Sequence, residues 1–193
     1  MTTPSCTFIV SAFNRPVHLR LCLLSLVVQT RKDWSCIVTD NSKTERNRVA
    51  VNEIGDSRIA YIPTGEFCPS CYHSAEVGAV LATGEWLAFP SEDSYYCDDF
   101  LERMIEESSD ADFVHCDLLY DKRLTGHRVA MRSEPKNGFI DKTNWIVRRS
   151  KFIGFPDKRD DGSPCPADGQ AVERMVALGR RTKHVPEILC VHN

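Results

Sequence analysis

Strand-like and helix-like stretches alternate from residue 7 to about residue 108, and that alternation limits the fold more than any other feature of the chain. "TFIVSAF" is a short β-branched and aromatic run that Asn14-Arg15-Pro16 breaks, opening a helix with proline where the first helical position tolerates it. Leu19, Leu23 and Leu26 recur along this helix at i, i+4 and i+7, the spacing of one buried stripe. "SCIVTD" reads as a second strand and Asp40-Asn41-Ser42 as a turn. A polar helix from about Thr44 to Ile54 then leads into a short strand, "RIAYI". Ala75, Ala79 and Ala82 put small residues on one face of a third helix that Gly84 closes. "EWLAFP" is a fourth strand, and "DDFLERMIEES" a helix with Asp98 and Asp99 at its positive end. The order β-α-β-α-β-α-β-α predicts an α/β fold: a Rossmann-like, mainly parallel sheet flanked by helices, binding ligands beyond the carboxyl ends of its strands.

That rule locates a candidate site. In "LAFPSEDSYYCDDF" a buried strand runs straight into Glu92 and Asp93. The residues after strands one, two and four, namely Phe13-Asn14, Asp40-Asn41 and Glu92-Asp93, therefore emerge on one rim. Acidic groups gathered there need a compensating charge, and a divalent cation with oxygen ligands, shared with substrate phosphates, is the usual one. The plain alternative is a solvated acidic turn.

Composition narrows the function classes. At 193 residues, 42% hydrophobic and 26% charged, the chain suits one soluble domain with a sizeable core. A net charge of −3 argues against nucleic acid or an anionic membrane as partner. The longest apolar run, Leu21 to Val28, is interrupted by Ser25 and is far short of a transmembrane span. "MTTPSCTFIV" has neither the basic start nor the apolar core of a signal peptide, so a cytoplasmic location is expected. Nine cysteines, an odd number set mostly among apolar neighbours, suit buried thiols in a reducing compartment. Cys68, Cys71 and His73 in "CPSCYH" have the spacing of half a zinc site or of a redox pair, but no second matching pair follows, and loop cysteines are the reading adopted.

The stretch "TFIVSAFNRPVHLRLCLLSLVVQTRKDWSCIVTDNS" resembles the opening of family 2 glycosyltransferases, and "AEVGAVLATGEWLAFPSEDSYYCDDFLERM" is similar to the family's passage into its acidic metal motif. "NWIVRRSKF", "ADGQAVERMVALG" and "VPEILCVHN" are similar, in the same order, to the segment shaping the acceptor cleft, the helix bearing the catalytic base, and the closing strand. The resemblance implies one GT-A type domain over residues 1–193, with a nucleotide-sugar half (1–100) and an acceptor half (101–193). It implies that Ser11, Phe13, Asn14 and Asp40 hold the base and ribose of a nucleotide-sugar donor, Asp40 accepting from a uracil N–H, and that Glu92 bonds the ribose. Asp93 becomes the ligand of Mn2+ or Mg2+, with His192 as a further metal contact. Two departures stand out: Pro90 occupies a place where the family commonly has another Asp, and Glu replaces the more usual Asp at 92.

The implied reaction is inverting transfer of a sugar, from a UDP-sugar, to a hydroxyl of a glycan, lipid-linked or small-molecule acceptor. Its general base is Asp168, at the start of a helix whose Val172, Met175 and Val176 form the predicted buried stripe and which Gly179 ends. Asp160-Asp161-Gly162 is a rival acidic pair that reads as a turn. A sugar-nucleotide pyrophosphorylase or a dinucleotide site would need glycines after the first strand, and "SAFNRPVHLR" has none. A non-catalytic nucleotide-sugar-binding or partner-binding module is the remaining alternative.

Overall fold

A computed structural model describes residues 4–65, 71–122, 127–156 and 168–193. β1 (Cys6–Ala12) lies between two parallel neighbours, β2 (Trp34–Asp40) and β4 (Trp86–Ala88), and β3 (Ile59–Pro63) extends the sheet beyond β2. The crossovers are α1 (Pro16–Val27), α2 (Arg46–Ile54) and α3 (Cys71–Leu81). Alternation along β1 divides the core: Phe8 and Val10 share one cluster with Leu19, Leu23 and Leu26 of α1, while Ile9 joins Ala75 of α3 on the other face.

The remaining strands are β5 (Ser94–Tyr96), β6 (Phe113–Lys122), β7 (His127–Met131), β8 (Trp145–Arg148) and β9 (Thr182–His192), with α4 (Phe100–Glu106) and α5 (Asp168–Ala177) packed beside them. The nine-stranded sheet runs β3-β2-β1-β4-β8-β6-β9-β5, with β7 pairing β6. Antiparallel pairs enter with β8, β7 and β5, while β6 and β9 run parallel with a register irregularity around Asp117.

Several local expectations change. α3 ends at Leu81, so Gly84 lies beyond it. Glycine is required at 84 because a Cβ there would come within 2.6 Å of the Thr7 amide nitrogen, against the edge of β1. β5 has no counterpart among the predicted strands, being three residues long. At α4 Asp99 stands at the N-cap, at the positive end as expected, but makes no side-chain capping bond, and the Leu101 N–H donates to Gln29 Oε1 at 2.9 Å. Gln29 also donates from Nε2 to the Cys97 carbonyl at 2.6 Å, stitching the end of α1 to the segment after β5. In α5 the buried side is Ala171, Val172 and Met175, and Val176 is 40% exposed.

Cys6, Cys22, Cys36, Cys116 and Cys190 are buried free thiols, and burial raises the pKa of Cys6, Cys22, Cys36 and Cys190. Cys68 lies outside the described residues, as do Asp160 and Asp161. Among the described residues, no helix is long and apolar enough to cross a membrane.

Candidate active site

The three strand ends meet. Ser11 follows the register of β1 into a bridge with Ser91, and the next free amide, Phe13 N–H, donates to Glu92 Oε2 at 2.6 Å. Asn14 then adopts a left-handed conformation with φ of 55°, a state that Asn tolerates better than most residues. Its N–H donates to Ser42 Oγ at 2.7 Å, and Asn41 N–H donates to the Ala12 carbonyl at 3.1 Å, closing the first two strand ends on one another. The turn at Asn14 directs Arg15 back over the acidic loop: Nη1 lies 2.6 Å from Asp93 Oδ2, and Nε lies 3.7 Å from Glu92 Oε1. Arg15 is also the N-cap residue of α1, and its side chain caps nothing there. Burial lifts the Glu92 carboxyl to about 7, against the opposing pull of the Phe13 N–H and Arg15.

Asp40 is wholly buried, and its carboxylate is surrounded. Oδ1 accepts from Ser42 N–H at 2.9 Å, Ser42 Oγ at 2.5 Å and Asn47 Nδ2 at 3.0 Å, while Oδ2 accepts from the Tyr61 hydroxyl at 2.7 Å. Those four donors match the lone-pair capacity of one carboxylate. Asp40 thus organises this part of the rim, with Ser42 and Tyr61 as the groups it positions. Phe13 is 58% exposed beside it, an aromatic face open to solvent.

Asp93 and His192 come together through β5 and β9. Ser94 stands opposite His192 in that antiparallel pair, and its hydroxyl is 3.1 Å from His192 Nδ1. Asp93 Oδ1 is 3.8 Å from the same nitrogen, and Asn193 holds the Asp93 carbonyl through Nδ2 at 2.8 Å. A carboxylate oxygen and an imidazole nitrogen are donors that Mn2+ accepts. Two protein ligands also fit a cation that takes its other oxygens from a diphosphate and water. They do not make a cage of their own, and among the described residues no group of three His, Cys, Asp or Glu side chains is placed to hold a metal ion.

Asp168 sits across the rim at the first position of α5. Its Oδ2 accepts from Lys142 N–H at 2.5 Å and its Oδ1 from Gly169 N–H at 2.9 Å. A Cβ on Gly169 would fall 2.5 Å from Asn137 Cα, so the start of α5 is pressed against that loop and only glycine fits. Asp168 keeps part of its surface open, yet the desolvation around it and the nearby charge of Asp141 raise its carboxyl to about 6. Asp141 caps the short turn Lys142–Asn144, accepting from Thr143 N–H at 2.9 Å on Oδ1 and from the Tyr120 hydroxyl at 3.2 Å on Oδ2. The Lys142 ammonium is buried and donates to the Phe89 and Pro90 carbonyls, each at 3.3 Å. One residue therefore ties the base candidate, through its amide, to the strand leading into Glu92 and Asp93, through its side chain.

Arg15, Tyr61, Asp141 and Lys142 are site residues that the sequence reading passed over. Arg15 had a signal, since it stands inside the Asn-Arg-Pro break. Lys142 had none, because the turn that buries it depends on β8. His73 lies in the first turn of α3.

Comparison with known proteins follows the same lines. A mannosyltransferase from Pyrobaculum calidifontis, solved with GDP-Man and Mn2+, superposes with a TM-score of 0.77 at 17% identity, covering 100% of this chain and 57% of its own. S. aureus TarS in complex with UDP-GlcNAc gives 0.70 at 16% identity over 97% of this chain and 58% of its own. Both share with this chain the GT-A fold. Among curated relatives, protein CgeD of Bacillus subtilis is 24% identical over 153 residues, 76% of this chain and 35% of CgeD. A PGL/p-HBAD biosynthesis glycosyltransferase of Mycobacterium bovis is 29% identical over 127 residues, 62% of this chain and 48% of the relative. The chain thus spans between about a third and a half of these curated relatives and little more than half of the solved neighbours. The family model for glycosyl transferase family 2 matches residues 7–176. That match runs unbroken from β1 into α5, through each of the segments that build the rim apart from β9, and it makes the chain a member of glycosyl transferase family 2.

Proposed function

We propose that the chain transfers a glycosyl unit from a nucleoside diphosphate sugar, UDP-linked, to an acceptor hydroxyl with inversion at the anomeric carbon. The observation that carries this reading is the placement of Asp168 and the Glu92-Asp93 loop on one rim, joined through Lys142. Family membership and the nucleotide sugars bound by the solved neighbours support it.

In this reading Phe13 and Tyr61 flank the base and Ser11, Asn14 and Asp40 shape the base and ribose pocket, with Asp40 acting through the groups it fixes. Glu92 meets the ribose. Asp93 and His192 hold the divalent cation, which when bound neutralises the diphosphate leaving group. Asp168 takes the proton of the acceptor hydroxyl as that oxygen bonds to the anomeric carbon and the bond to the diphosphate oxygen breaks. A carboxyl raised to about 6 is ionised at neutral pH and basic enough to share a proton in the transition state. The Lys142 and Gly169 N–H groups keep it aimed. The acceptor lies toward a cleft of about 640 Å³ lined by Tyr120, Val129, Met131 and Phe139, which adjoins Asp141 through the Tyr120 hydroxyl.

The test is thermal-shift and titration binding of UDP, GDP, TDP and CDP, each with and without Mn2+, followed by hydrolysis and transfer assays with the matching sugars. Selective, Mn2+-dependent binding of UDP with measurable turnover is expected. Binding without turnover in the presence of acceptors would favour the non-catalytic module, which Pro90 in the acidic motif suits. No nucleotide binding would sink the transferase reading and leave the partner-binding module as the one alternative.

A further inference from the structure

Arg15 holds Asp93 by Oδ2, while Oδ1 faces His192, so its positive charge sits on the same carboxylate that a cation would use. Its guanidinium pairs with Asp93 at 2.6 Å and reaches Glu92 at 3.7 Å, while its side chain stays 55% exposed, so it can swing away without unpacking the core. Two backbone features set this placement: the left-handed turn at Asn14, and Pro16 at the start of α1, which fixes the chain on the far side of Arg15. The acidic pair is therefore already neutralised from within. A divalent ion arriving alone meets a like charge at close range, in a partly desolvated place where repulsion is weakly screened.

We infer that Arg15 is an exchangeable counter-ion: it holds the Glu92-Asp93 loop in the donor-free protein, competes with the divalent cation for Asp93, and turns to the donor diphosphate once the cation has displaced it. A guanidinium released beside a diphosphate has a planar fork suited to phosphate oxygens, so the same side chain opposes the metal alone and supports the metal with nucleotide. Cation and donor then load together. The inference rests on the nucleotide-sugar reading for its second half only, since competition at Asp93 needs no nucleotide.

Arg15→Ala and Arg15→Lys are compared with the parent for Mn2+ affinity without nucleotide, read by calorimetry or by the Mn2+ spin-resonance signal, and for UDP affinity in saturating Mn2+. Arg15→Ala should bind Mn2+ alone about three- to fivefold more tightly, the competition expected from one partly exposed ion pair. It should bind UDP with Mn2+ about tenfold more weakly, a charge-assisted phosphate contact being lost. Arg15→Lys should leave Mn2+ affinity near parental. Adding Asp93→Asn to Arg15→Ala should erase the gain. Mn2+ affinity that falls or stays level in Arg15→Ala, or no Mn2+ binding by parent and variant up to millimolar concentration, overturns the inference. If UDP fails to bind the parent, the proposed function falls while the Mn2+ arm still decides the competition. Melting of the ligand-free variants separates misfolding from either result.

Discussion

The two ends of the rim, which the proposed function assigns to donor and acceptor, hold their carboxylates in different ways. Asp40 is buried within a ring of donors from its own neighbourhood, Ser42, Asn47 and Tyr61, all within about one crossover of it in the chain. Among the described residues Asp168 has two backbone N–H partners; it keeps an open edge and is raised by its surroundings to about 6. A carboxylate ringed by donors is held in one geometry, whereas one with an open edge and a raised pKa is placed to exchange a proton. The contrast separates two acids that both end or begin regular elements and look alike in sequence, and it is what the proposed roles rest on.

Breaking the acceptor-side carboxylate should have the largest effect. Asp168→Asn removes the base and keeps the shape, so transfer should fall by about 10² to 10⁴-fold with nucleotide binding retained. The amide keeps one of the two N–H contacts, so melting should fall slightly, by the equivalent of about 1 kcal/mol. The parental rate should fall as pH drops through about 6, because a general base works unprotonated. Near-parental turnover in the variant, or a rate flat through that range, would remove Asp168 from the chemistry.

The donor-side counterpart is Asp40→Ala. It strands the buried Asn47 and leaves the half-buried Tyr61 hydroxyl and Ser42 short of their acceptor, so the protein should lose about 2 to 3 kcal/mol of stability and should bind UDP and uridine more weakly alike. A variant as stable as the parent would show that Asp40 organises nothing. The subtlest change is Asp93→Asn, which leaves packing untouched and should cost about tenfold in Mn2+-dependent UDP affinity. Equal affinity with metal present would return Asp93 to the role of a partner for Arg15 alone.

The donor half was legible because its elements follow local rules. Pro16 opens a helix, leucines at helical spacing mark its buried face, and each β-branched run becomes a parallel strand whose end reaches the rim. The acceptor half was less so. β6 to β9 mix parallel and antiparallel pairs with a register shift at Asp117, and no single-segment pattern announces that. Asp93 was marked by the strand end that precedes it, Asp168 and His192 were found only through family resemblance, and Lys142 escaped notice because a buried ammonium bonded to two carbonyls has no periodic signature. Gln29 is a further case: its capping of α4 needs a partner 72 positions away.

The short strand β5 has a kinetic consequence. Ser94 and His192 are 98 positions apart, and the Asn193 bond to Asp93 spans 100. Closing so long a loop is entropically unfavourable until the intervening sheet exists to hold its ends together. The Asp93 loop is therefore among the last parts of the chain to take shape, and among the first to loosen in partial unfolding. Under the proposed function, a nascent or damaged molecule with its first four strands in place would possess the base pocket and lack the pinned Asp93 loop. Binding of the complete donor with its cation would then report on the integrity of the whole chain, and uridine binding on its first half alone.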